Sequence, residues 1–369
     1  MYTNVTEEWV YSQSRAFAPE GFVEIDCYIP QLGRSLTFAK RDLLRFVHQQ
    51  TASVLSAELP KNHIEFSLDN SNGKWNPNNP DGLYQYLSER LKITVRYGFN
   101  INGAVEWIPG GVFYLTEWST SENGYEATFA ARDILEYMLD ASYTGELSGT
   151  LGDLARSAMG SVDLPEDGVS AFGEVLDGYT LGEVTAEGDI SVAQVLQKCA
   201  NASRCVMYQN RDGALVIAPW EKIHTNYTIP LKLAYSFPKI ELTRPLKSVE
   251  VTYLGGEKYS LNMRSAGETQ TLSNDFISTA VQANEVAEWV DDMLCSRKTI
   301  SGEFRGDPRL DVLDLVAVET KGGMVENVVL TNVKTSFTGA FMTTFSGYIN
   351  YEGAAVTHYS GELYAGEVI

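Results

Sequence analysis

The reactive side chains of this sequence are plentiful but poorly grouped. With 48 Asp and Glu residues in 369 positions, neighbouring carboxylates are unavoidable. Asp291-Asp292 and Asp311…Asp314 are the pairs that would serve as the acid and base of a glycosidase. Asp291 and Asp292, however, are successive residues of a predicted helix and point in different directions. Asp314 stands where a turn feeds a strand, so both sets read as structural or solvated. The four His residues, at 48, 63, 224 and 358, form neither His-x-x-x-His nor His-Glu-x-x-His, so a metal would need ligands assembled across the fold. Asp69-Asn70-Ser71-Asn72-Gly73 places acidic and amide residues at alternate positions, as a calcium loop does at its start. Pro80 occupies the place of that loop's terminal Glu, and turn chemistry accounts for the run. There is no phosphate-binding Gly-x-x-x-x-Gly-Lys-Ser/Thr and no Gly-x-Ser-x-Gly elbow. Arg305-Gly306-Asp307 is a tripeptide of some adhesive proteins, but Pro308 follows and a turn suffices. Trp75, Tyr84, Tyr86, Trp107 and Trp118 have the chemistry of a sugar-binding face and equally of a core or an interface. No catalytic, cofactor-binding or metal-ligating residue is assigned, and no cofactor is expected.

The elements that hold these residues are mostly strands. A content of 20 Tyr, 15 Phe and 31 Gly favours strands and turns over helix bundles, and only 12 Pro with no low-complexity tract argues against disorder. The length allows two to four domains. The formal net charge of −20 repels phosphate backbones, which argues against nucleic-acid recognition by the outer surface. Cys27, Cys199, Cys205 and Cys295 are widely spread and read as small buried hydrophobes rather than a disulfide framework. The amino terminus lacks a basic region followed by an apolar run, so no signal peptide is expected, and no run of about eighteen apolar residues predicts a membrane span.

Along the chain, residues 22–29 alternate with Val23, Ile25, Cys27 and Ile29 on one face, and residues 35–38 fit a hairpin partner. Residues 40–54 fit either a short helix or an extended arm. Residues 63–69, 91–97, 112–118 and 125–133 are further short strands separated by turn signals, which together describe a small antiparallel barrel or sandwich. Residues 140–190 change character to Gly, Asp, Glu and Ser, with one helix capped by Thr150. Ser191 to Gln194 is a capping box that opens a second helix, followed by a hairpin through Asn210 to Gly213. Residues 239–243 and 247–254 are strands interrupted by Pro245, and a helix is predicted from about Gln282 to Cys295. Gly302 to Val318 is then a strand, a Gly306-Asp307-Pro308 turn with a left-handed Gly306, an Asp at 314, and a buried strand. Residues 325–337 and 343–351 complete a second barrel. The two barrels are alike in character, without a sequence repeat that proves duplication.

Phe304, Gly306, Pro308, Leu310 and Asp314 match a pattern of phage baseplate hub proteins: aromatic, x, Gly, x, Pro, x, Leu, then an Asp before a buried strand. The run of Ile64–Asp69, Asn70–Gly73, Lys92–Gly98, Gly111–Trp118 and Tyr125–Asp133 is similar to the order of elements in the first domain of that family. The chain therefore resembles the baseplate hub and tail-tip family of long-tailed phages over most of residues 20–350.

The resemblance implies a β-rich α+β fold of two small antiparallel β-barrels with an intervening α+β region. The barrels would occupy residues 1–139 and 239–369, with the small insertion at 140–238. It implies a structural virion protein without catalysis: a homotrimer at the tail tip, assembled in the host cytoplasm, that adapts a sixfold tube to a threefold tip and closes or opens the DNA channel. Implied partners are the distal tail ring protein, the carboxy terminus of the tape-measure protein and a spike or receptor-binding fibre module, with DNA only in passage. The alternatives are a carbohydrate-binding tail adhesin and a cell-wall hydrolase. The hydrolase is disfavoured because little chain is expected beyond the second barrel. The acidic excess is expected to face the channel in part, with Glu122, Asp212 and Glu257 as candidates.

Overall fold

The computed structural model describes residues 1–15, 19–165, 170–184, 189–220, 224–294, 296 and 298–349. Helix α1 (Glu7–Ser14) comes first, capped by the Thr6 hydroxyl, which accepts from the Trp9 amide. Its Trp9 is fully buried edge-on against Phe99, at 4.9 Å between ring centres. Seven strands follow: β1 (Gly21–Ile29), β2 (Arg34–Phe38), β3 (Leu43–Thr51), β4 (Lys61–Asp69), β5 (Lys92–Ile101), β6 (Ala104–Thr120) and β7 (Glu126–Arg132). They pair antiparallel in the order β3-β4-β7-β6-β5-β1-β2.

The middle of the chain contains α2 (Leu151–Gly160), β8 (Ser170–Phe172), α3 (Val192–Ala202), β9 (Cys205–Gln209) and β10 (Leu215–Pro219). Thr150 caps α2, and Ser191 with Gln194 forms the expected capping box on α3. The remaining elements are β11 (His224–Ile229), β12 (Lys239–Leu242), β13 (Leu246–Thr252), β14 (Lys258–Asn262), β15 (Glu268–Ser273), α4 (Ala280–Leu294), β16 (Lys298–Arg305), β17 (Leu315–Glu319), β18 (Val325–Phe337) and β19 (Phe341–Ile349). Two small sheets, β8-β10-β9 and β14-β13-β15, pack with α2, α3 and α4 around the largest apolar core.

The expectation of two barrels is corrected by the pairing. Strands β12-β16-β19-β18 join β3 directly, through Asn332 opposite Thr51 to Phe337 opposite Phe46, so one sheet of thirteen strands runs through both ends of the chain. No ring of pairings closes among the described residues. The edge of β3 that a closed first barrel would return to its own half is occupied by β18. Among the described residues the fold is thus β-rich with four α-helices, built on one large, mainly antiparallel sheet. Its exception is β11, which runs parallel to β17. Each half covers its own core: Phe46, Phe66, Tyr97 and Phe129 in the first, Ile300, Phe304, Val318 and Phe345 in the second.

Those halves are built on one plan. Strands β1, β3, β4, β5, β6 and β7 correspond in chain order to β11, β12, β16, β17, β18 and β19, and the pairings correspond too. Residue by residue the agreement is close. The Arg90 amide donates to the Leu115 carbonyl and the Leu115 amide to the Leu91 carbonyl; Leu313, Leu330 and Asp314 repeat these bonds. Arg90 and Leu313 share a left-handed φ, of 64° and 68°. Immediately after Leu115 and Leu330 the register slips by one residue. The hydroxyls of Thr116 and Thr331 then donate to the carbonyls of Ala130 and Ser346. At the far end of β4 and β16, the amides of Asn70 and Gly306 donate to the carbonyls of Tyr125 and Phe341. The halves differ in that β1 is antiparallel to β5 while β11 is parallel to β17, and in that β2 has no counterpart among the described residues.

Several local expectations change. Residues 43–51 are strand β3, not helix or arm. Its inward positions include His48 and Gln50, both buried polar residues, which hide the apolar alternation. Gly306 is not left-handed; the left-handed residue of this turn is Leu313. Gly306 is required by close approach instead, since a Cβ there would lie 2.7 Å from the Thr343 hydroxyl and 3.0 Å from Met342 backbone. Residues 350 and 351, expected to end the last strand, and Cys295, expected to end the helix at 282, lie outside the described residues.

Candidate functional site

A dense polar cluster lies where the turn after β16 meets the hairpin between β9 and β10. It begins at Asp307, whose carboxylate accepts from the Arg309 amide at 3.1 Å, from Nε at 3.0 Å and from Nη2 at 2.6 Å. Both residues are almost fully buried. Arg309 also sits over the Tyr227 ring, 5.4 Å from its centre. The Arg305-Gly306-Asp307 tripeptide therefore does not present its carboxylate to a receptor.

Arg211 comes from the β9–β10 turn. Its Nε donates to both Asp311 oxygens at 3.1 and 2.9 Å. Its Nη1 reaches the Pro109 carbonyl at 2.7 Å and its Nη2 the Pro308 carbonyl at 2.8 Å. Gln50 approaches the Asp311 carboxylate from β3 at 3.4 Å. Asp314 accepts the Asp311 amide at 2.7 Å on one oxygen and the amino-terminal ammonium of Met1 on the other. Burial works against the Asp311 charge, but Arg211, the ammonium and the Gln50 hydrogen bond together hold its pKa below the ordinary carboxylate value. Burial pushes Asp314 up to about 6, opposed by the ammonium. An opened-out cavity of about 720 Å³ adjoins them, lined also by Tyr2, Tyr208 and Trp220.

Two carboxylates with pKa values moved in opposite directions beside a cavity are what an acid–base pair needs. Here each oxygen already has a partner: Asp311 is held in the fork of Arg211, and Asp314 closes its own turn. The cluster is a clamp joining the amino terminus, β3, β6, the β9–β10 turn and the turn after β16. Of the pairs weighed from sequence, Asp311 and Asp314 are brought together in this clamp, while Asp291 and Asp292 remain neighbours on α4. Burial raises the pKa of Asp291.

The other candidates disperse. His48 is enclosed between the Tyr97 hydroxyl and the Asn62 carbonyl oxygen, each at 2.7 Å, and burial lowers its pKa to about 4, so it is neutral. His63 is half-buried on β4, also with a lowered pKa from burial. The side chain of His224 and all of His358 lie outside the described residues. Among the described residues no group of three or more His, Cys, Asp or Glu is placed to hold a metal. The Asp69–Gly73 run is a set of Asx turns: Asp69 accepts from the Ser71 amide at 2.9 Å and Asn72 from the Lys74 amide at 3.0 Å. Trp75 is a core residue against Phe129, Tyr84 packs edge-on to Trp118, and Trp107 lies under Arg96. Cys27, Cys199 and Cys205 are buried free thiols, with burial raising Cys27 and Cys205 to about 11; Cys295 lies outside the described residues. Glu122, Asp212 and Glu257 are exposed on loops. No helix among the described residues is long and apolar enough to cross a membrane. Arg211 was not singled out from sequence; its signal was an Arg inside an Asn-x-Asp-Gly turn, where a solvated residue is the ordinary expectation.

The fold is that of phage tail proteins. A tail protein from Neisseria meningitidis MC58 superposes with a TM-score of 0.61 at 15% identity, covering 90% of this chain and 97% of that one. The 43 kDa tail protein of prophage MuSo2 from Shewanella oneidensis gives 0.57 at 13% identity, over 89% and 97%. Prophage tail protein gp18 from Listeria monocytogenes EGD-e gives 0.53 at 12% identity, over 94% and 98%. No protein-family model and no curated protein matches the sequence. At such identities the likeness defines the class of fold.

Proposed function

We propose that this chain is a structural protein of a phage-type tail, acting as a homotrimeric hub at the tail tip. The observation that carries this reading is the repeated half-sheet. One chain holds two copies of a single strand plan, joined side by side, so three chains offer six near-equivalent units. Such a ring matches a sixfold tube on one side and a threefold tip on the other. The tail-protein fold supports the same reading, as does a clamp built from groups that are already saturated. The proposed neighbours are the distal tail ring protein, the end of the tape-measure protein and a spike or fibre module, in a virion tail. The hub would close or open the DNA channel, and the net charge of −20 fits a channel whose wall does not hold DNA by phosphate contacts. The test is the mass of the purified protein in solution, with negative-stain images. Rings of three copies with an open centre are expected; a monomer or an open filament at all concentrations would sink the proposal.

A further inference from the structure

The internal repeat leaves two edges without a partner. Within the chain, the halves meet where β18, past the end of β17, pairs its residues Asn332–Phe337 with Thr51–Phe46 of β3. The counterpart of β18 is β6, and the counterpart of β3 is β12. Past the end of β5 at Tyr114, residues Glu117–Thr120 of β6 pair with β7 on one side and with no strand on the other among the described residues. Among the described residues strand β12 pairs with β16 on one side only, and all four of its residues are exposed. One chain therefore carries one completed seam and both halves of a second, unmade one.

We infer that a second copy of this chain completes the seam, with β6 of one copy adding antiparallel to β12 of the next. The inference rests on the ring reading above and gives it a residue-level interface. The register follows from the repeat. In the existing seam Val333 opposes Gln50, Lys334 opposes Gln49 and Thr335 opposes His48. Carried to the counterparts, Trp118 opposes Leu242, Ser119 opposes Glu241 and Thr120 opposes Ile240. The apolar surface fits this. Leu242 is 73% exposed, and Tyr235 and Phe237 just before β12 are 61% and 62% exposed, a concentration of bare apolar side chains beside an open strand edge. In the assembled seam Leu242 and Trp118 form a cross-strand apolar pair. The two edges differ, so the contact is head-to-tail and needs a closed ring to satisfy every edge. Without closure each free β12 is an aggregation edge.

The test is cross-linking in the intact protein. The double variant Ser119→Cys/Glu241→Cys places two exposed positions opposite each other across the seam. Mild oxidation should give reductant-sensitive covalent oligomers up to the full ring, at least tenfold above the yield from Thr120→Cys/Glu241→Cys, whose thiols face opposite sides of the sheet. As an independent arm, Leu242→Asp should leave the melting temperature of the single copy unchanged and raise the dissociation constant of the assembly tenfold or more. A ring by mass and imaging that shows no cross-link at the 119/241 pair, or that Leu242→Asp does not weaken, overturns the seam and leaves the ring reading standing. A protein that remains a single copy at every concentration overturns both.

Discussion

Arg90 and Leu313 hold the same place in the two halves of the sheet: each has a left-handed φ, and each donates its amide to the leucine one strand away, Leu115 or Leu330. A non-glycine residue in this region is uncommon, and two at matched positions mark a fixed bend at the entry of β5 and of β17. The exposed Arg90 makes this testable without disturbing a core. Arg90→Gly should leave stability within about 0.5 kcal/mol of the parent, since relief of strain offsets the lost stacking on Tyr137. Arg90→Val should cost about 1–2 kcal/mol, because a β-branched residue is the least tolerant of this φ. Equal melting of the two variants would remove the strain assignment.

The buried pairing of Asp307 with Arg309 changes the ranking that a simple turn implies. In such a turn Gly306→Val would be the damaging change and Asp307→Asn the mild one. With Gly306 against Met342 and Thr343, even Gly306→Ala should cost about 1–3 kcal/mol through overpacking. Asp307→Asn removes the counter-charge of the buried Arg309 and should cost about 3–5 kcal/mol. Thermal melting of the two single variants should place Asp307→Asn at or below Gly306→Ala.

What was legible in the sequence followed local rules. Both caps, at Thr150 and Ser191, are fixed by side chains within three residues of the amides they satisfy. The alternation of Val23, Ile25, Cys27 and Ile29 is visible because that strand has one fully apolar face. Strand β3 was hidden by buried polar residues whose partners, Tyr97 and Asn62 for His48, come from distant strands. Strands β14 and β15 carry too few buried side chains to alternate recognisably. The two halves are alike in character in the sequence, but their repeat lives in hydrogen-bond geometry; Leu115-Thr116 and Leu330-Thr331 are among its few shared letters, and β13 to α4 interrupts the second copy. The one-sheet architecture depends on the β18–β3 pairing, which brings together residues almost 300 positions apart, beyond the reach of periodicity.

The Arg211 clamp should be intolerant of lysine. Lysine keeps the charge but cannot hold Asp311 with a fork while reaching the Pro109 and Pro308 carbonyls. Arg211→Lys should destabilise by about 2–4 kcal/mol, because a buried carboxylate and two carbonyls lose donors. Asp311→Asn combined with Arg211→Ala should cost less than the sum of the single changes, by about 1–3 kcal/mol, as a shared network requires. Strict additivity in denaturant unfolding would mean that the two side chains do not act as one unit.

A pH dependence of stability is built in at Asp133, which joins β7 to the 3-10 turn Ile134–Tyr137. Its side chain is fully buried. Oδ1 accepts the Leu135 amide at 3.1 Å, and Oδ2 has no hydrogen-bond partner among the described residues. Burial raises its pKa from an ordinary 3.8 to about 7, opposed by Arg132 and the Leu135 hydrogen bond. The folded chain therefore keeps this proton where the unfolded chain has released it. Its contribution to stability is fully present below about pH 4, declines as pH rises towards 7, and is flat above. Asp314, also raised, adds a slope of the same sign with an end near pH 6, so the comparison must be made against a variant. Asp133→Asn retains an oxygen acceptor for Leu135 and cannot ionise. Melting temperatures measured from pH 4 to pH 8 should show the parent losing stability relative to Asp133→Asn by an amount on the order of a few kcal/mol, with the difference levelling off above about pH 7. Parallel profiles for the two proteins would mean that Asp133 is ionised in the fold and that Oδ2 has a partner.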